Sequence, residues 1–327
     1  AVPRVGETVR PGAAAGRAEA PGPVRAQATR LVDLGRARVA AREGEGRPLT
    51  LREQVVYQVL DRTLGARIRG KLGLDRGRIF VSSAAPVDPE LLRWFHAIGI
   101  PIAEVYGQTE DCGPTTMNRP GRIRIGTVGE ALPGLDVRIG PDGEVLVRGP
   151  NVCAGYWEDP AATAELLEDG WMHSGDLGVF EGTFLRIIGR KKDLIVTSSG
   201  KNIAPQDMET HLRSEPFISQ AVVVGDGRKF LSALVSLDGD AIEAAVEGID
   251  GHGATEVLAT HPVVLREVEE AIERLNAGRA PAERIKAWRI IPRELTVAGG
   301  ELTPTLKVKR SVVIERFDDL VDEMYAR

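Results

Sequence analysis

Apolar residues follow three different patterns along this chain. Between Ala1 and Pro48 they show no period, and "RPGAAAGRAEAPGPVRAQ" is built from Arg, Pro, Gly and Ala. A stretch so poor in large apolar side chains predicts a flexible leader over residues 1–48. From Leu49 onward, "LREQVVYQVLDRTLGARIRGKLG" places apolar residues at helical spacing. "RIFVSSAAP" reads as a buried strand that ends in small residues. "ELLRWFHAIG" reads as a helix with Asp88 as N-cap and Pro89 in its first position, and "IPIAEVYG" as a second strand. Strand, helix, strand in this order predicts the crossover unit of a parallel sheet. Ligands gather at the carboxyl ends of such strands, so "SSAAP" and "YGQTED" are expected to face one crevice.

The pattern shortens between Thr127 and Phe184. "LDVRIGPDGEVLVRG" alternates around Pro-Asp-Gly and predicts a hairpin in a small β-rich subdomain, about 120–188. After "FLRIIGRKKDLIV" the chain returns to mixed α and β. A helix is expected from Pro205, a hairpin in "QAVVVGDGRKFLSALVSL" and an amphipathic helix in "VVLREVEEAIERLNAG". The charged run near Gly189 marks a domain boundary.

Composition narrows the classes of function. With 327 residues, 43% hydrophobic and 27% charged, the chain is expected to hold at least two domains with full cores. A formal charge of -5 argues against nucleic acid as a partner. Two cysteines, Cys112 and Cys153, are too few for a disulfide framework, and no Cys/His spacing suggests zinc. No apolar run is long enough to span a bilayer and no signal peptide opens the chain, so a cytoplasmic globular protein is expected. The first 48 residues carry nine Arg against five acidic residues, which supports at most peripheral contact with phospholipid at the inner membrane surface.

Four segments hold candidate chemistry. In "YGQTED", Thr109 offers a hydroxyl to a phosphate oxygen and Glu110 a hard oxygen ligand suited to magnesium. The alternative is that Thr109 caps a helix whose first turn welcomes Glu110 and Asp111. In "WMHSGDLG", Asp176 could accept bonds from two adjacent hydroxyls, or could bond its own backbone in a turn; His173 reads as structural. "GRKKDLIVTSSGKNIAPQDME" holds a Gly-Lys pair but fails the phosphate-loop pattern, since Asn202 stands where Ser or Thr is required. "ELTPTLKVKR" presents Lys307, Lys309 and Arg310 in a polar loop, available to an anion or simply to solvent. No Ser-His-Asp or Cys-His arrangement emerges.

Taken in order, "YGQTE", "GEVLVRGPNVCAGYWEDPAATAELLEDGWMHSGDLG", "GRKKDLIVTSSGKNIAPQDME" and "TPTLKVKR" resemble the motif series of the adenylate-forming enzymes, most closely the long-chain acyl-CoA synthetases. The resemblance runs from Leu49 to the end, and "VPRV" at Val2–Val5 also resembles a family segment. It implies an α/β fold: the remainder of a large adenylation core over 49–188, then a small mobile α+β lid domain over 189–327. It implies an ATP-dependent fatty acid–CoA ligase that forms an acyl adenylate, releases pyrophosphate and passes the acyl group to the CoA thiol. Within the same resemblance, an acyl-AMP ligase feeding a carrier protein and a non-catalytic nucleotide-binding or partner-binding module are the alternatives.

The resemblance also implies roles for individual residues. Ser83, Ala84, Ala85 and Pro86 match the loop against which adenine packs, with Ser where many relatives have Gly. Tyr106 matches the residue stacked on adenine, within a nucleotide loop that includes Gly107 and Gln108. Thr109 matches a phosphate contact and Glu110 the magnesium ligand. Asp176 matches the ribose-binding carboxylate, with Arg190 beside the same sugar. Lys192 matches the hinge of the lid. Gly200, Lys201 and Asn202 match a loop on the CoA side, and Lys307 matches the catalytic lysine, with Lys309 as the neighbour two positions on. ATP, Mg2+ and CoA are the implied cofactor and co-substrates. The family's Ser/Thr/Gly-rich phosphate loop ending in Pro-Lys-Gly has no copy here. The chain is therefore expected to be the C-terminal part of a longer enzyme, with a missing N-terminal half as a partner, and to make little or no acyl adenylate alone.

Overall fold

The structure, a computed structural model, describes residues 22–44, 46–251, 253 and 255–326. The chain divides after Ile187 into two compact units.

The first unit opens with a correction. Part of the expected flexible leader, Gly22–Glu43, is a 22-residue α-helix; residues 1–21, with "VPRV", lie outside the described residues. Ala and Arg are strong helix formers. The buried face runs through Ala28, Leu31, Val32, Leu34, Gly35 and Val39. Small residues in that face hid it from a reading based on large apolar side chains. They have a packing purpose: a Cβ on Gly35 would lie 2.3 Å from the Ala97 carbonyl oxygen, so glycine lets this helix approach the next layer closely.

Next come helix Leu51–Leu60, a π-helical turn Asp61–Gly65 and helix Ala66–Lys71, a nearly continuous helical stretch as the spacing predicts. Thr50 starts it with a capping box to Glu53. Strand β1 (Phe80–Ser82), helix Pro89–Ala97 and strand β2 (Ile102–Tyr106) form the expected crossover, with β1 parallel to β2 and Ser82 opposite Glu104. The Asp88 side chain accepts the Glu90 N–H at 3.0 Å, capping a helix with Pro in its first position. Leu91, Leu92, Trp94 and Phe95 carry the core here. Strands β3 (Thr116–Met117) and β4 (Glu130–Ala131) extend the sheet antiparallel, in the order β1-β2-β3-β4.

A second sheet contains β5 (Asp136–Ile139), β6 (Glu144–Arg148), β7 (Leu167–Glu168), β8 (Trp171–Glu181) and β9 (Phe184–Arg190). Its order is β5-β6-β8-β7, with β9 also paired to β8. The expected Pro-Asp-Gly hairpin joins β5 and β6. Val145, Val147, Met172 and Leu185 fill its core.

In the second unit, β10 (Ile195–Val196) and β11 (Asn202–Ile203) form a short antiparallel ribbon. A three-stranded sheet follows: β12 (Ile218–Val224), β13 (Leu231–Leu237) and β14 (Ile285–Ile290). Strands β12 and β13 pair antiparallel as expected, and β13 pairs parallel with β14. Alternate residues of β12 point to opposite faces. Ala221 and Val223 pack with Met208 and Leu212 of helix Gln206–Arg213 and with Val264, Val268 and Ile272 of helix Pro262–Asn276. Val222 and Val224 pack with Val313 of helix Arg310–Arg316, with Phe317 at the junction, and with Val321 and Met324 of helix Asp318–Tyr325. A sheet covered on both faces explains why these strands read as unbroken apolar runs.

Candidate functional site

The site begins where β2 ends. A Cβ on Gly107 would fall 1.6 Å from the Gly113 carbonyl oxygen, so the chain can turn here only with glycine. Thr109–Asp111 then forms a single 3-10 turn. The cap is Gln108 rather than Thr109, which corrects the helix-cap alternative. The Asp111 carboxylate closes the turn, accepting the Gln108 N–H at 2.7 Å and the Thr115 hydroxyl at 2.6 Å. Burial pushes the Asp111 carboxyl up from its ordinary range, against the hydrogen bonds that hold it charged. Asp111 is thus spent on the loop itself, whereas the neighbouring Thr109 and Glu110 side chains make no hydrogen bond within this turn. Thr109 is exposed and its hydroxyl has no partner among the described residues.

The Tyr106 hydroxyl donates to Asp176 Oδ2 at 2.9 Å, across 70 positions of sequence. Burial first and the Asp176 charge second raise the phenol far above its usual range, so Tyr106 stays a donor. Asp176 is buried inside β8 rather than in a turn, a second correction. The register of β6 against β8 shifts between Glu144 and Leu146, and Gly175 has a φ of +71°. An irregularity of this kind re-aims a side chain within a strand. Ser174 Oγ accepts the Asp176 N–H at 3.1 Å. Glu144 accepts the Gly175 N–H at 2.8 Å and meets His173 Nδ1 at 3.0 Å, which gives His173 a partner in the strand framework.

A third segment, after β6, is tied to the same turn. The Cys153 N–H donates to the Glu110 carbonyl at 2.8 Å, and Asn151 Nδ2 donates to the Asp111 carbonyl at 2.9 Å. The Tyr156 hydroxyl donates to Glu110 Oε1 at 2.7 Å. Buried Ser82 Oγ, at the end of β1, and Gln108 Nε2 and Asn151 Oδ1 have no partner among the described residues. Unpaired buried polar atoms of this kind are ones a ligand can satisfy.

Since β1 and β2 are parallel and in register, Ser83–Pro86 leaves the sheet at the same end as Tyr106–Glu110. Ala84 has a φ of +74°, a left-handed conformation unusual for a residue with a Cβ. The structure thus brings together Ser83, Ala84, Ala85, Pro86, Tyr106, Gly107, Gln108, Thr109, Glu110 and Asp176 within the first unit.

The other candidates belong to the second unit. Arg190 ends β9, just past the division, and Lys192 lies exposed in the 3-10 turn Lys191–Asp193. Gly200, at φ +79°, turns the ribbon between β10 and β11, followed by Lys201 and Asn202; Lys201 Nζ pairs with Glu283 at 2.8 Å. Lys307 is exposed in a loop closed by Thr303, whose hydroxyl accepts the Lys307 N–H at 3.0 Å and whose N–H donates to the Lys307 carbonyl at 2.8 Å. Lys309 precedes helix Arg310–Arg316 at the cap position.

No group of three or more His, Cys, Asp or Glu among the described residues could hold a metal ion. Magnesium in nucleotide sites is held through one or two carboxylates together with substrate phosphates, so it needs no cluster of that kind. Glu110 is the carboxylate for which the resemblance implies that role. Sequence reasoning missed Asp111 as the loop's internal anchor, and also Asn151 and Tyr156. Both latter residues stand in the quoted motif, but partners 40 and 46 positions away leave no local signal.

The AMP-binding enzyme family matches residues 13–157, and the AMP-binding enzyme C-terminal domain matches residues 192–327. The long-chain-fatty-acid–CoA ligase FadD15 of Mycobacterium tuberculosis is 42% identical over 272 residues, which is 82% of this chain and 45% of that protein. The human long-chain-fatty-acid–CoA ligase ACSBG2 is 32% identical, over 83% of this chain and 45% of its own length. The crystal structure of the ATP-bound RpMatB-BxBclM chimera B1 superposes with a TM-score of 0.58 at 26% identity, covering 81% of this chain and 50% of the chimera. The chain therefore spans about half the length of the curated relatives it matches. With one family domain on each side of the division and relatives aligned over most of its length, the chain belongs to the AMP-binding enzyme family.

Proposed function

We propose that these residues serve an ATP-dependent fatty acid–CoA ligase, which forms an acyl adenylate from ATP and a fatty acid and then transfers the acyl group to the thiol of CoA. The observation that carries the reading is the Tyr106–Asp176 hydrogen bond at 2.9 Å, which joins two distant family motifs beside the Thr109–Glu110 turn. In this reading Asp176 accepts from the ribose hydroxyls, and Tyr106 lies against adenine with Ser83–Pro86 and Gly107–Gln108. Thr109 donates to a phosphate oxygen.

A carboxylate approaching the α-phosphate brings anions together, so the barrier is largely charge accumulation. Magnesium, when bound at Glu110, would supply positive charge to the phosphate oxygens. The Lys307 ammonium adds a second positive charge for the adenylation step, with Arg190 near the sugar. The acyl adenylate is a mixed anhydride with an excellent leaving group, so no protein nucleophile is needed. The second unit would then turn about Lys192, withdrawing Lys307 and bringing Gly200–Asn202 towards CoA. The proposed setting is cytoplasmic, with at most peripheral membrane contact; among the described residues no helix is long and apolar enough to cross a membrane.

Calorimetry with AMP tests the reading. Asp176→Ala is expected to weaken AMP by about tenfold or more, the scale of a lost hydrogen bond to a charged group. Lys307→Ala should leave AMP affinity within about twofold, because in this reading its charge serves the reacting phosphate and not the nucleoside. Failure of the parent chain to bind AMP, or an Asp176→Ala variant that binds it as well as the parent, would overturn the proposal.

A further inference from the structure

We infer that Tyr156 is a positioning residue for the Glu110 carboxylate, fixing which oxygen it presents to a divalent cation. The inference rests on the reading of Glu110 as the metal-side carboxylate. Tyr156 is 43% exposed, so core packing alone does not account for its orientation. Its hydroxyl nevertheless reaches 46 residues back to Glu110 Oε1 at 2.7 Å, a charge-assisted hydrogen bond. The backbone beneath is tied to the same segment, through the Cys153 N–H on the Glu110 carbonyl and Asn151 on the Asp111 carbonyl. Side chain and main chain of Glu110 are thus both held by the loop that ends in Tyr156.

Magnesium demands near-ideal octahedral geometry and takes carboxylates one oxygen at a time in nucleotide sites. A carboxylate on a surface turn otherwise rotates freely and can offer both oxygens. With Oε1 occupied by the Tyr156 hydroxyl, Oε2 is the oxygen left to face outward. Thr109, one residue earlier, is exposed, and its hydroxyl has no partner among the described residues. Hydrogen bonds that orient a metal-binding carboxylate typically contribute about ten- to a hundredfold in affinity. An exposed partner such as Tyr156 belongs at the lower end.

The experiment uses the full chain and Mn2+ as the probe. Electron paramagnetic resonance follows free Mn2+ during titration in the presence of ATP, and calorimetry measures AMP without metal. Tyr156→Phe keeps the ring and deletes only the hydroxyl. It is expected to weaken Mn2+ binding with ATP by about tenfold, while AMP affinity and the melting temperature stay at parent values. Glu110→Gln is expected to abolish protein-dependent Mn2+ binding, leaving the free Mn2+ signal at the level of a control with ATP alone. Parent-like Mn2+ binding by Tyr156→Phe beside a loss in Glu110→Gln would overturn the inference and leave the ligase reading standing. Parent-like binding in both variants would overturn the metal assignment of Glu110 and the inference with it. A matched loss of AMP affinity or melting temperature in Tyr156→Phe would show a structural tie, which also overturns the positioning role.

Discussion

Glu104 shows what one misplaced charge does to the strand that builds the site. It lies two residues before Tyr106, is 9% exposed, and accepts a single long hydrogen bond, from the Gly126 N–H at 3.3 Å. Loss of solvation dominates that bond and raises its carboxyl from 4.5 to about 8. Because the folded value lies above the unfolded one, the unfolded chain releases this proton first as pH rises. Stability is therefore greatest below pH 4.5 as far as this group is concerned, falls between 4.5 and about 8, and is flat above. The full span is worth on the order of a few kcal/mol. Glu104→Gln, which keeps the shape without the charge, should melt higher than the parent at pH 8.5 and nearly level with it at pH 5. A parent that loses nothing relative to the variant between those values would refute the account. At this scale the sequence was informative but incomplete. "YGQTED" displayed every polar group of the turn, yet nothing in it marked Asp111 as the loop's own anchor. Only the fold shows that Asp111 is used up by Gln108 and Thr115.

Elements built on large apolar side chains were the legible ones. Helix Pro89–Ala97 announces itself through Asp88-Pro89 and a broad apolar face, and β12 and β13 through unbroken Val and Leu runs. Helix Gly22–Glu43 did not, because Ala28 and Gly35 interrupt the apolar series that Leu31, Val32, Leu34 and Val39 form on its buried face. Strand β14 was not read either, since only Ile285 of its six residues is fully buried. Nor could the pattern reveal which element holds the Lys307 loop in place. Arg310, three residues on, donates to the Val223 carbonyl of β12 at 2.6 Å and to Glu209 of helix Gln206–Arg213. Glu209 in turn accepts the Val223 N–H at 2.8 Å, and its side chain is only 14% exposed. Removing one member of so buried a pair strands the other charge, so Arg310→Ala should cost about 3 kcal/mol in urea unfolding. Replacing both, as Arg310→Met with Glu209→Leu, should recover most of that loss. If the double variant is no more stable than Arg310→Ala alone, the pair is not what holds these elements together.

For the molecule as a whole, the division after Ile187 separates two kinds of candidate. The first unit holds candidate residues that touch one another: Tyr106 on Asp176, and Tyr156 on Glu110. The second holds cations, Lys192, Lys201 and Lys307, on turns and loops of a separately cored unit. The order of motifs made this legible before any coordinate, whereas the convergence of Asp176 on Tyr106 depends on a strand irregularity that no spacing reveals. Nucleoside recognition and phosphate recognition are separable tasks. The first needs a carboxylate for the sugar and an aromatic face, the roles proposed for Asp176 and Tyr106. The second depends on a cradle of backbone N–H groups around the β- and γ-phosphates, and no Ser/Thr/Gly-rich segment ending in Pro-Lys-Gly occurs in the 327 residues. A polypeptide limited to these residues should bind AMP in calorimetry while showing ATP–pyrophosphate exchange near background with a fatty acid present. Exchange at a rate typical of a complete enzyme, on the order of 1 to 1,000 per second, would mean that the phosphates are held by other groups in this chain. The Lys307 loop and the exposed Thr109 hydroxyl would then be the first places to look.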